Sequence, residues 1–356
     1  MLVIHIANNS KKYPNKFVPP YQNFVENELS GNVEHRFIYL GDSSGIDKSA
    51  IILKDNLFSA IRVLLFMMNA NIVVFHSLPS KYNMLFLSNI ISLFNRVYLV
   101  LWGGEIYHRP KAKKLKTKIK YYFENKFLLG VCNYITYISE DVDYIVKNIN
   151  PKAKQVDLGG FYLGNLIKDN KDNKDNKVNK ECFPDNNVIN ILVGVSASER
   201  NNHYELLRII SEQDYKNYAL HIPLSYGDFK YAEKLKAYIY GNFPSFRLNI
   251  LDDFMRLEDY NDFLSNIDVA LFGHNNQQGM GNIRQLISNG TIIYCLENSV
   301  TYLYLKKLGF EVFTLGEFSL CDSNKHVKSE KNKHLARELF SYSESVVLQK
   351  RFYGRN

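Results

Sequence analysis

Short apolar runs alternate with longer amphipathic segments through the first half of the chain. The apolar runs have the length of buried strands and lie at residues 3–6, 35–40, 72–76, 97–102 and 134–138. The segments between them have apolar residues at helical spacing and lie at 18–29, 57–69, 82–95, 111–129 and 140–149. Strands that alternate with helices of this length predict a parallel sheet with helices on both faces.

The same alternation starts again after a low-complexity segment. Residues 168–180 read KDNKDNKDNKVNK, a composition that has almost nothing to bury and is typical of a solvated linker. Further strands are predicted at 188–195, 218–223, 248–251, 267–272 and 291–296. Further helices are predicted at 202–211, 229–240, 257–266, 282–288, 300–308 and 333–353. The pattern therefore indicates two doubly wound α/β domains.

The domain boundaries follow from this break in the pattern. We expect an N-terminal Rossmann-like domain at 1–165, a linker at 166–187, a C-terminal Rossmann-like domain at 188–340, and a helix within 341–356 that returns toward the first domain. Two such domains predict a ligand in the cleft between them. Nucleotide-sugar transferases, some epimerases and some phosphorylases share this arrangement, so the fold alone leaves the function open.

The composition is that of a globular protein, since 46% of the 356 residues are hydrophobic and 22% are charged. The four cysteines are scattered, which indicates neither a zinc site nor a disulfide framework and fits a reducing cytoplasm. The first residues resemble a buried strand and not a signal peptide, and the apolar stretches are too short to span a bilayer. The net charge of +8 favours nucleic acid, anionic lipid or phosphorylated substrates as partners.

One candidate binding segment is GVSASERNNH, residues 194–203, which lies between a buried strand and a helix. Backbone N–H groups at such a turn form an anion site together with the helix dipole. Small residues there allow a diphosphate to approach closely. Asn202 and Glu205 also resemble a capping box, with Asn in place of Ser or Thr. The alternative is an ordinary connection between a strand and a helix.

A second candidate segment is GHNNQQGMGN, residues 273–282, which also follows a buried strand. Its amide side chains can hydrogen-bond sugar hydroxyls and phosphate oxygens. The helix N-terminus near Gly281 and Asn282 can hold a phosphate. The alternative is a polar surface loop. We favour binding because both segments follow strands of one sheet, at the edge where open α/β sheets bind ligands.

The third candidate segment is LWGGEIYH, residues 101–108, which follows a strand of the N-terminal domain and contains the only tryptophan. Its glycines allow a sharp turn, and the Glu105 carboxylate at the strand end could take a proton from an acceptor hydroxyl. The alternative is a loop carboxylate paired with the basic helix that follows. His5 and His76 lie in or near strands, where a core or rim histidine is the commoner case, but His76 faces the predicted cleft and could contact the acceptor.

The segment Asp141-Val-Asp143 matches the DxD pattern that binds metals in other transferases. It lies in the first turn of a helix that Ser139 is expected to cap, where acidic residues favour the helix dipole. We therefore interpret these carboxylates as part of the helix and expect no essential metal.

Residues 111–126 carry seven lysines, one acidic residue, and apolar residues at helical spacing. Such a basic amphipathic helix can lie on an anionic bilayer, pack its apolar face on the sheet, or do both. A non-catalytic nucleic-acid-binding protein would use the same lysines, but no nucleic-acid motif accompanies them.

Four segments in order resemble glycosyltransferase family 56, the 4-acetamido-4,6-dideoxygalactose (Fuc4NAc) transferases of enterobacterial common antigen synthesis. They are LWGGEIY at 101–107, ILVGVSASERNNH at 191–203, HIPLSYGD at 221–228 and NIDVALFGHNNQQGMG at 266–281. The likeness is collinear from residue 2 to residue 349. The chain departs from the family pattern at Asn276, where the family has an arginine before two glutamines, and in its longer linker.

The resemblance implies a GT-B type fold, in which two Rossmann-like α/β domains have parallel sheets that face across a cleft. It implies a dTDP-linked deoxyamino sugar as donor and an undecaprenyl-diphosphate-linked saccharide as acceptor, without a cofactor. The family's carboxylate is present as Glu105. By the same likeness, the donor's nucleotide, diphosphate and sugar would contact Gly194, Ser196, Ser198, Asn202, His203, Pro223, Leu224, Ser225, Tyr226, Gln277, Gln278, Gly279, Gly281 and Asn282.

We therefore expect a cytoplasmic enzyme that is peripheral on the inner face of the cell membrane and contacts anionic lipid through the helix at 111–126. A sugar-nucleotide epimerase of the same fold is the first alternative, and it would need no acceptor and show no membrane preference. A nucleic-acid-binding protein that uses the basic helix is the second alternative.

Overall fold

The computed structural model describes residues 1–11, 15–29, 31–54, 56–79, 88–90, 94, 96–107, 114–162, 188–214, 217–320 and 322–354. The chain divides into two compact units. Met1–Leu166 and Tyr342–Asn356 form what we call the N-terminal unit, and Ile167–Ser341 forms the C-terminal unit. The predicted linker at 166–187 falls wholly outside the described residues, as does most of the helix predicted at 82–95.

The N-terminal unit is built on a seven-stranded parallel sheet in the order β3-β2-β1-β4-β5-β6-β7. The strands are β1 (Leu2–Asn9), β2 (Glu34–Gly41), β3 (Ile51–Leu53), β4 (Ile72–Phe75), β5 (Val97–Val100), β6 (Asn133–Ile135) and β7 (Lys154–Val156). The strand order reverses between β1 and β4, and ligands of open α/β sheets bind beyond the carboxyl ends of strands at such a switch point.

Helices cover both faces of this sheet. They are α1 (Val18–Glu28), α2 (Leu57–Met68), α3 (Gly104–Tyr107), α4 (Leu115–Gly130), α5 (Ser139–Asn148) and the last helix of the chain, α12 (Tyr342–Tyr353). One core contains buried residues of α2, α4 and α5, and the other contains buried residues of α1 and α12. Tyr21 of α1 donates a hydrogen bond to Gln349 of α12 (2.8 Å), which ties the end of the chain to this unit.

The C-terminal unit is built on a six-stranded parallel sheet in the order β10-β9-β8-β11-β12-β13. The strands are β8 (Ile189–Val193), β9 (Tyr218–Pro223), β10 (Arg247–Leu251), β11 (Val269–Phe272), β12 (Ile292–Cys295) and β13 (Phe313–Thr314). The helices are α6 (His203–Ser211), α7 (Phe229–Asn242), α8 (Leu257–Ser265), α9 (Met280–Ser288), α10 (Val300–Lys307) and α11 (Ser323–Leu339). The reversal of strand order falls between β8 and β11.

The predicted pair of parallel α/β sheets is confirmed, but several elements differ from the prediction. The short edge strands β3, β7 and β13 were not predicted, because two or three residues give no periodic signal. The single helix predicted at 333–353 is two helices that meet near Phe340, a buried residue stacked on Phe310. Helix α5 begins at Ser139, which makes no side-chain cap. Among the described residues, none of the helices combines the length and the apolar character needed to cross a membrane.

Candidate active site

Three loops of the C-terminal unit meet at the carboxyl edge of its sheet. They follow β9, β8 and β11, which are neighbours in the sheet. The residues expected to contact the donor lie in these loops or at the adjoining ends of β9, α6 and α9. The loop after β8 lies in the middle, so its residues can contact both of the others.

The middle loop is held by one buried amide. Gly194 turns the chain with φ of +69°, and a Cβ there would lie 2.6 Å from His203 Nε2, so a side chain is excluded. The Asn201 side chain, which is fully buried, accepts from Val195 N (3.1 Å) and donates to the Ser196 carbonyl (3.0 Å). Sequence reasoning missed Asn201, although it stands within the motif, because nothing in the pattern separates it from Asn202.

The three loops approach one another closely enough to require glycine. A Cβ on Gly227, in the loop after β9, would lie 2.3 Å from the Ala197 carbonyl oxygen. A Cβ on Gly279, in the loop after β11, would lie 2.6 Å from Val195 Cγ1. Both glycines have positive φ, at +116° and +64°. The contacts therefore fix the path of the backbone at this edge.

The Ser196 hydroxyl joins all three loops. Gln278 Nε2, from the loop after β11, donates to Ser196 Oγ (2.9 Å). The Ser196 side chain also lies close enough to the Tyr226 hydroxyl, in the loop after β9, to lower a Tyr226 pKa that burial raises. The Tyr226 side chain leaves 49% of its surface exposed, so part of it is open to a ligand.

Two further amides at this edge, Gln277 of the loop after β11 and Asn282 of α9, are half-buried. Asn282 Nδ2 donates to the Tyr260 hydroxyl of α8 (2.9 Å), a contact that the sequence did not predict. The buried Gln277 Oε1 atom has no hydrogen-bond partner among the described residues. Helix α9 starts directly after Gly279, so its first backbone N–H groups, including that of Gly281, lie beside these amides. The edge therefore presents hydrogen-bond donors close to one unsatisfied hydrogen-bond acceptor.

Two buried histidines flank the loops. His203 Nδ1 contacts the Tyr231 hydroxyl (3.0 Å) and His274 Nε2 contacts Thr301 (3.3 Å), but His203 Nε2 and His274 Nδ1 have no partner among the described residues. Burial lowers the pKa of each ring to about 4, so both are neutral at pH 7. His203 was a predicted contact and His274 was not.

The remaining predicted residues lie around this centre. Ser198 caps a short turn, where its side chain accepts from Arg200 N, and Asn202 has a left-handed backbone (φ 55°). The capping box expected for Asn202 and Glu205 is wrong: the Asn202 side chain makes no cap, and the Glu205 carboxylate accepts from Arg208 instead. The left-handed backbone at Asn202 departs from the extended conformation of an ordinary N-cap.

The loop after β9, which was predicted to contact the donor, is partly buried. Pro223 ends β9 and Leu224 is buried, whereas Ser225 is half-buried. Of the four predicted residues, only Ser225 and Tyr226 have surface that a ligand could contact directly, whereas Pro223 and Leu224 are buried.

In the N-terminal unit, Glu105 lies in α3, directly after β5 and a turn at Gly103 (φ +82°). One of its carboxylate oxygens accepts from Trp102 N (2.8 Å), which holds the side chain close to the strand end. The half-buried Trp102 ring stacks on Tyr162 (4.9 Å between centroids), and its indole nitrogen donates to the His76 carbonyl (2.7 Å). The alternative interpretation, a Glu105 carboxylate paired with the basic helix, falls partly on residues 108–113, which lie outside the described residues.

His76 belongs to a buried chain of rings. Its Nδ1 lies 2.7 Å from the Tyr162 hydroxyl and its Nε2 lies 3.1 Å from His5 Nδ1. His5 Nε2 in turn lies 3.0 Å from His35 Nδ1. Burial lowers the pKa of His76 to about 3, and burial with the two neighbouring rings lowers that of His5. Because both His76 nitrogens are engaged and the residue is 2% exposed, this geometry speaks against His76 as a direct contact to an acceptor.

The structure adds Asp141 to the predicted residues of this edge. The side chain is fully buried in α5, and Asp141 Oδ1 accepts from the Tyr107 hydroxyl (2.6 Å), which links α5 to the segment that carries Glu105. Burial, with a smaller contribution from the Glu105 charge, raises the pKa of Asp141 to about 7, although the hydrogen bond from Tyr107 acts to lower it. The sequence places this acid in a first helical turn, but only the fold shows that it points inward.

The chain matches a known family and is similar to several solved structures. A family model described as 4-alpha-L-fucosyltransferase, glycosyl transferase group 56, matches residues 22–309. The structure of Anabaena Alr3699/HepE in complex with UDP is similar, with 11% sequence identity, a TM-score of 0.67, and coverage of 100% of this chain and 99% of that chain.

Two further solved structures have the same fold. Sucrose-phosphate synthase from Thermosynechococcus elongatus has 9% identity and a TM-score of 0.66, over 100% of this chain and 99% of that chain. A glycosyltransferase from Rickettsia africae ESF-5 has 13% identity and a TM-score of 0.65, over 99% of this chain and 98% of that chain. These likenesses confirm the expected GT-B type fold.

Proposed function

Because the chain belongs to glycosyl transferase group 56 and is a glycosyltransferase, we propose that it moves a deoxyamino sugar of the Fuc4NAc kind from a dTDP-linked donor to a saccharide carried on undecaprenyl diphosphate. Binding of the sugar donor by the C-terminal unit is supported by one observation, the meeting of three loops near Ser196. The identities of the sugar and of the nucleotide are taken from the sequence resemblance. The structural relative with bound UDP supports a nucleoside diphosphate as the leaving group.

The C-terminal edge suits a diphosphate. The N-terminus of α9 supplies backbone N–H groups, and the Ser196 and Gln278 side chains add neutral donors. The Gln277 Oε1, His203 Nε2 and His274 Nδ1 atoms are buried without partners among the described residues, and buried polar atoms normally have one. In this proposal, groups of the bound nucleotide sugar satisfy part of this hydrogen-bonding capacity.

The chemistry requires a base for the acceptor. In the proposed reaction, the Glu105 carboxylate takes the proton of an acceptor hydroxyl, the hydroxyl oxygen forms a bond to the anomeric carbon, and the bond from that carbon to the diphosphate breaks. Backbone N–H groups and amides stabilise the diphosphate that leaves. Asp141 of the DxD pattern is engaged with Tyr107, and we propose that transfer needs no essential metal, which is tested by measuring transfer in the presence of EDTA.

We also propose that the enzyme works on the inner face of the cell membrane and that the lysines of α4 contact anionic lipid. The four described lysines at its start, Lys114, Lys116, Lys118 and Lys120, are exposed or half-exposed, and Lys111 and Lys113 lie outside the described residues. Each lysine near such a surface contributes about 1 kcal/mol. Replacing the four with Gln should weaken binding to anionic vesicles while leaving dTDP binding nearly unchanged; unchanged vesicle binding would mean that these lysines only face solvent.

The donor assignment is tested by thermal shift with nucleotides. dTDP should raise the melting temperature more than UDP, GDP or ADP at equal concentration, because a ligand that binds only the folded state stabilises it by mass action. A larger shift with UDP or GDP would overturn the dTDP assignment and leave the transferase fold intact. Release of free sugar or its epimer, without any acceptor product, would favour an epimerase instead.

A further inference from the structure

Helix α2 has two apolar faces on opposite sides. The inner face is buried in the core through Ala60, Val63 and Met67. The outer face consists of five large apolar side chains with exposed fractions of 44–77%, namely Leu57, Phe58, Ile61, Leu65 and Met68. At about 100° per residue, these five lie within about 100° of arc. The outer face of an ordinary surface helix would be polar, so this stripe indicates a partner.

The exposed apolar surface continues beyond α2. The Arg96 guanidinium donates to the carbonyl of Met68 at the end of α2 (3.0 Å), and Asn89 Nδ2 donates to the carbonyl of Phe123 in α4 (3.1 Å). Asn89 therefore contacts α4, and Arg96 contacts the end of α2. The further exposed apolar residues, of α4 and of the described positions between Asn89 and Arg96, are Ile90, Phe94, Leu115, Ile119, Tyr122 and Leu129. We call these residues, together with the outer face of α2, the apolar layer.

The charges around the apolar layer are of one sign among the described residues. The exposed ones are cations, namely Lys54, Arg62, Lys114, Lys116, Lys118 and Lys126. The acid of α4, Glu124, is buried and lies 3.6 Å from the ammonium of Lys120. Helix α2 has no acidic residue in its first turn and none elsewhere. A partner for this layer is therefore anionic at its rim and apolar at its centre.

We propose that the apolar layer is a membrane-insertion surface, in which the outer face of α2 enters the boundary between headgroups and acyl chains of an anionic bilayer. Lysines are depleted at protein–protein interfaces, whereas they favour anionic headgroups beside an inserted apolar face. A nucleic acid would leave the aliphatic side chains of α2 without a partner. The inference rests on the proposed function because a lipid-linked acceptor requires an enzyme at the bilayer surface.

This surface differs from the lysine contact proposed above in its response to salt. Contacts between lysines and anionic headgroups are screened by salt, whereas apolar insertion is not. Wild-type protein should therefore keep part of its vesicle binding at high salt. That remaining part should depend on α2.

The first test is flotation with vesicles of phosphatidylglycerol and phosphatidylcholine. The double variant Phe58→Gln with Leu65→Gln should bind at least tenfold more weakly and lose the binding that resists high salt. The matched control is Leu257→Gln with Val327→Gln, two side chains of the C-terminal unit with exposed fractions of 56% and 58%. The control should bind like wild type. Equal binding by wild type and the α2 variant overturns the proposal.

The second test places a fluorophore on α2 itself. In Phe58→Trp, vesicles with brominated acyl chains should quench the new indole more strongly than they quench Trp102, the only tryptophan of the wild type. Fluorescence that brominated vesicles leave unchanged overturns the proposal, even if the double variant is poorly folded. A wild-type dimer that dissociates in the α2 double variant, with vesicle binding unaffected, also overturns it in favour of a second copy of the chain.

A final comparison separates this inference from the proposed function. Transfer to an acceptor with a short, water-soluble lipid should proceed at the same rate in wild type and in the α2 double variant, which supports the membrane role of α2. If wild type binds vesicles through α2 but transfers sugar to no lipid-diphosphate acceptor, the surface stands and the proposed acceptor fails. If transfer to that acceptor occurs while the α2 double variant binds vesicles normally, the proposed acceptor stands and the insertion surface fails.

Discussion

The two sheets of this protein end in edges of different chemistry. In the C-terminal unit, glycines bring backbone against backbone at the edge, and neutral hydroxyl and amide groups such as Ser196 and Gln278 face one another. In the N-terminal unit, the edge is closed by rings and ionisable groups, with Trp102 stacked on Tyr162 and Asp141 hydrogen-bonded to Tyr107. Two parallel sheets of similar strand order thus end in chemically different edges.

The difference matches two chemical tasks. A diphosphate keeps its negative charge through the reaction, so fixed neutral donors in a rigid loop suit it. A hydroxyl that becomes a nucleophile must lose a proton, so its site needs a group that titrates. The comparison predicts that substitutions at the N-terminal edge affect rate and pH dependence, and that substitutions at the C-terminal edge affect donor affinity.

The largest expected effect is on the transfer rate of Glu105→Gln. The amide keeps the shape and the hydrogen bond from Trp102 N but cannot accept a proton, so transfer should fall by about 10²–10⁴-fold. The affinity for dTDP, measured by titration calorimetry, should stay within twofold because the donor loops are in the other unit.

The matched control for Glu105 is Asp143→Asn, an exposed carboxylate on α5 of the same unit, which should transfer at the wild-type rate. Near-normal turnover of Glu105→Gln would make this carboxylate structural. A joint loss of dTDP affinity would show that the two edges do not act independently.

The next effect concerns the buried histidines, which are neutral in the folded protein. His76 has a pKa lowered to about 3 and His35 one lowered to about 4, against about 6.5 when unfolded. The unfolded state therefore binds more protons below pH 6.5, and the free energy of unfolding falls as the pH drops from about 6.5 toward 4. Each such histidine lowers the free energy of unfolding by about 1.4 kcal/mol for each pH unit of this decrease.

This acid sensitivity is measured by urea unfolding at several pH values, with Trp102 fluorescence as a probe of the N-terminal unit. His76→Gln removes one titrating group, so its stability should depend less steeply on pH than that of wild type. A wild-type stability that is constant between pH 7.5 and 5 would contradict the structure's neutral histidine chain.

A third effect tests the backbone packing of the C-terminal edge. Gly279→Ala places a Cβ 2.6 Å from Val195 Cγ1 in a residue with φ of +64°. Strained backbone of this kind costs about 1–3 kcal/mol, and we expect the loops to shift and dTDP affinity to fall about tenfold. Gly241→Ala is the control, since a Cβ there meets nothing within 4 Å. If Gly279→Ala bound dTDP normally, the packing of this loop would not shape the donor site.

Much of the fold was predictable because its signal is local. The apolar runs that became β1, β4, β8 and β11 are buried on both sides of a parallel sheet, and such strands are the easiest to recognise. The edge strands are two or three residues long and depend on pairing with a neighbour, as β13 does with β12. Their existence is a property of the sheet and not of their own residues.

The candidate site was predictable as segments but not as contacts. Glycines and amides after buried strands indicated the loops, yet the role of Asn201 in holding the middle loop depends on which side chain points inward. The same holds for His76, whose position at a strand end suggested a contact to substrate. The other rings of its chain belong to β1, β2 and residue 162, and only the folded protein brings them together.

A last effect on stability separates Asp141 from these histidines, because it has the opposite sign. Burial raises the pKa of this carboxyl to about 7 in the folded protein, against 3.8 in the reference state. The folded state therefore binds more protons between about pH 4 and 7, and this one group lowers the free energy of unfolding by about 1.4 kcal/mol per unit as the pH rises through that range.

Asp141→Asn tests this contribution with little change of shape, since its Oδ1 can still accept from the Tyr107 hydroxyl. The variant should match wild type near pH 4, where the acid is protonated, and should be more stable than wild type at pH 8, where wild type must hold a buried carboxylate. Urea unfolding at the two pH values measures the difference. Equal stability at pH 8 would mean that the ionised Asp141 is well satisfied, and that this part of the N-terminal edge is as indifferent to pH as the amides of the C-terminal edge.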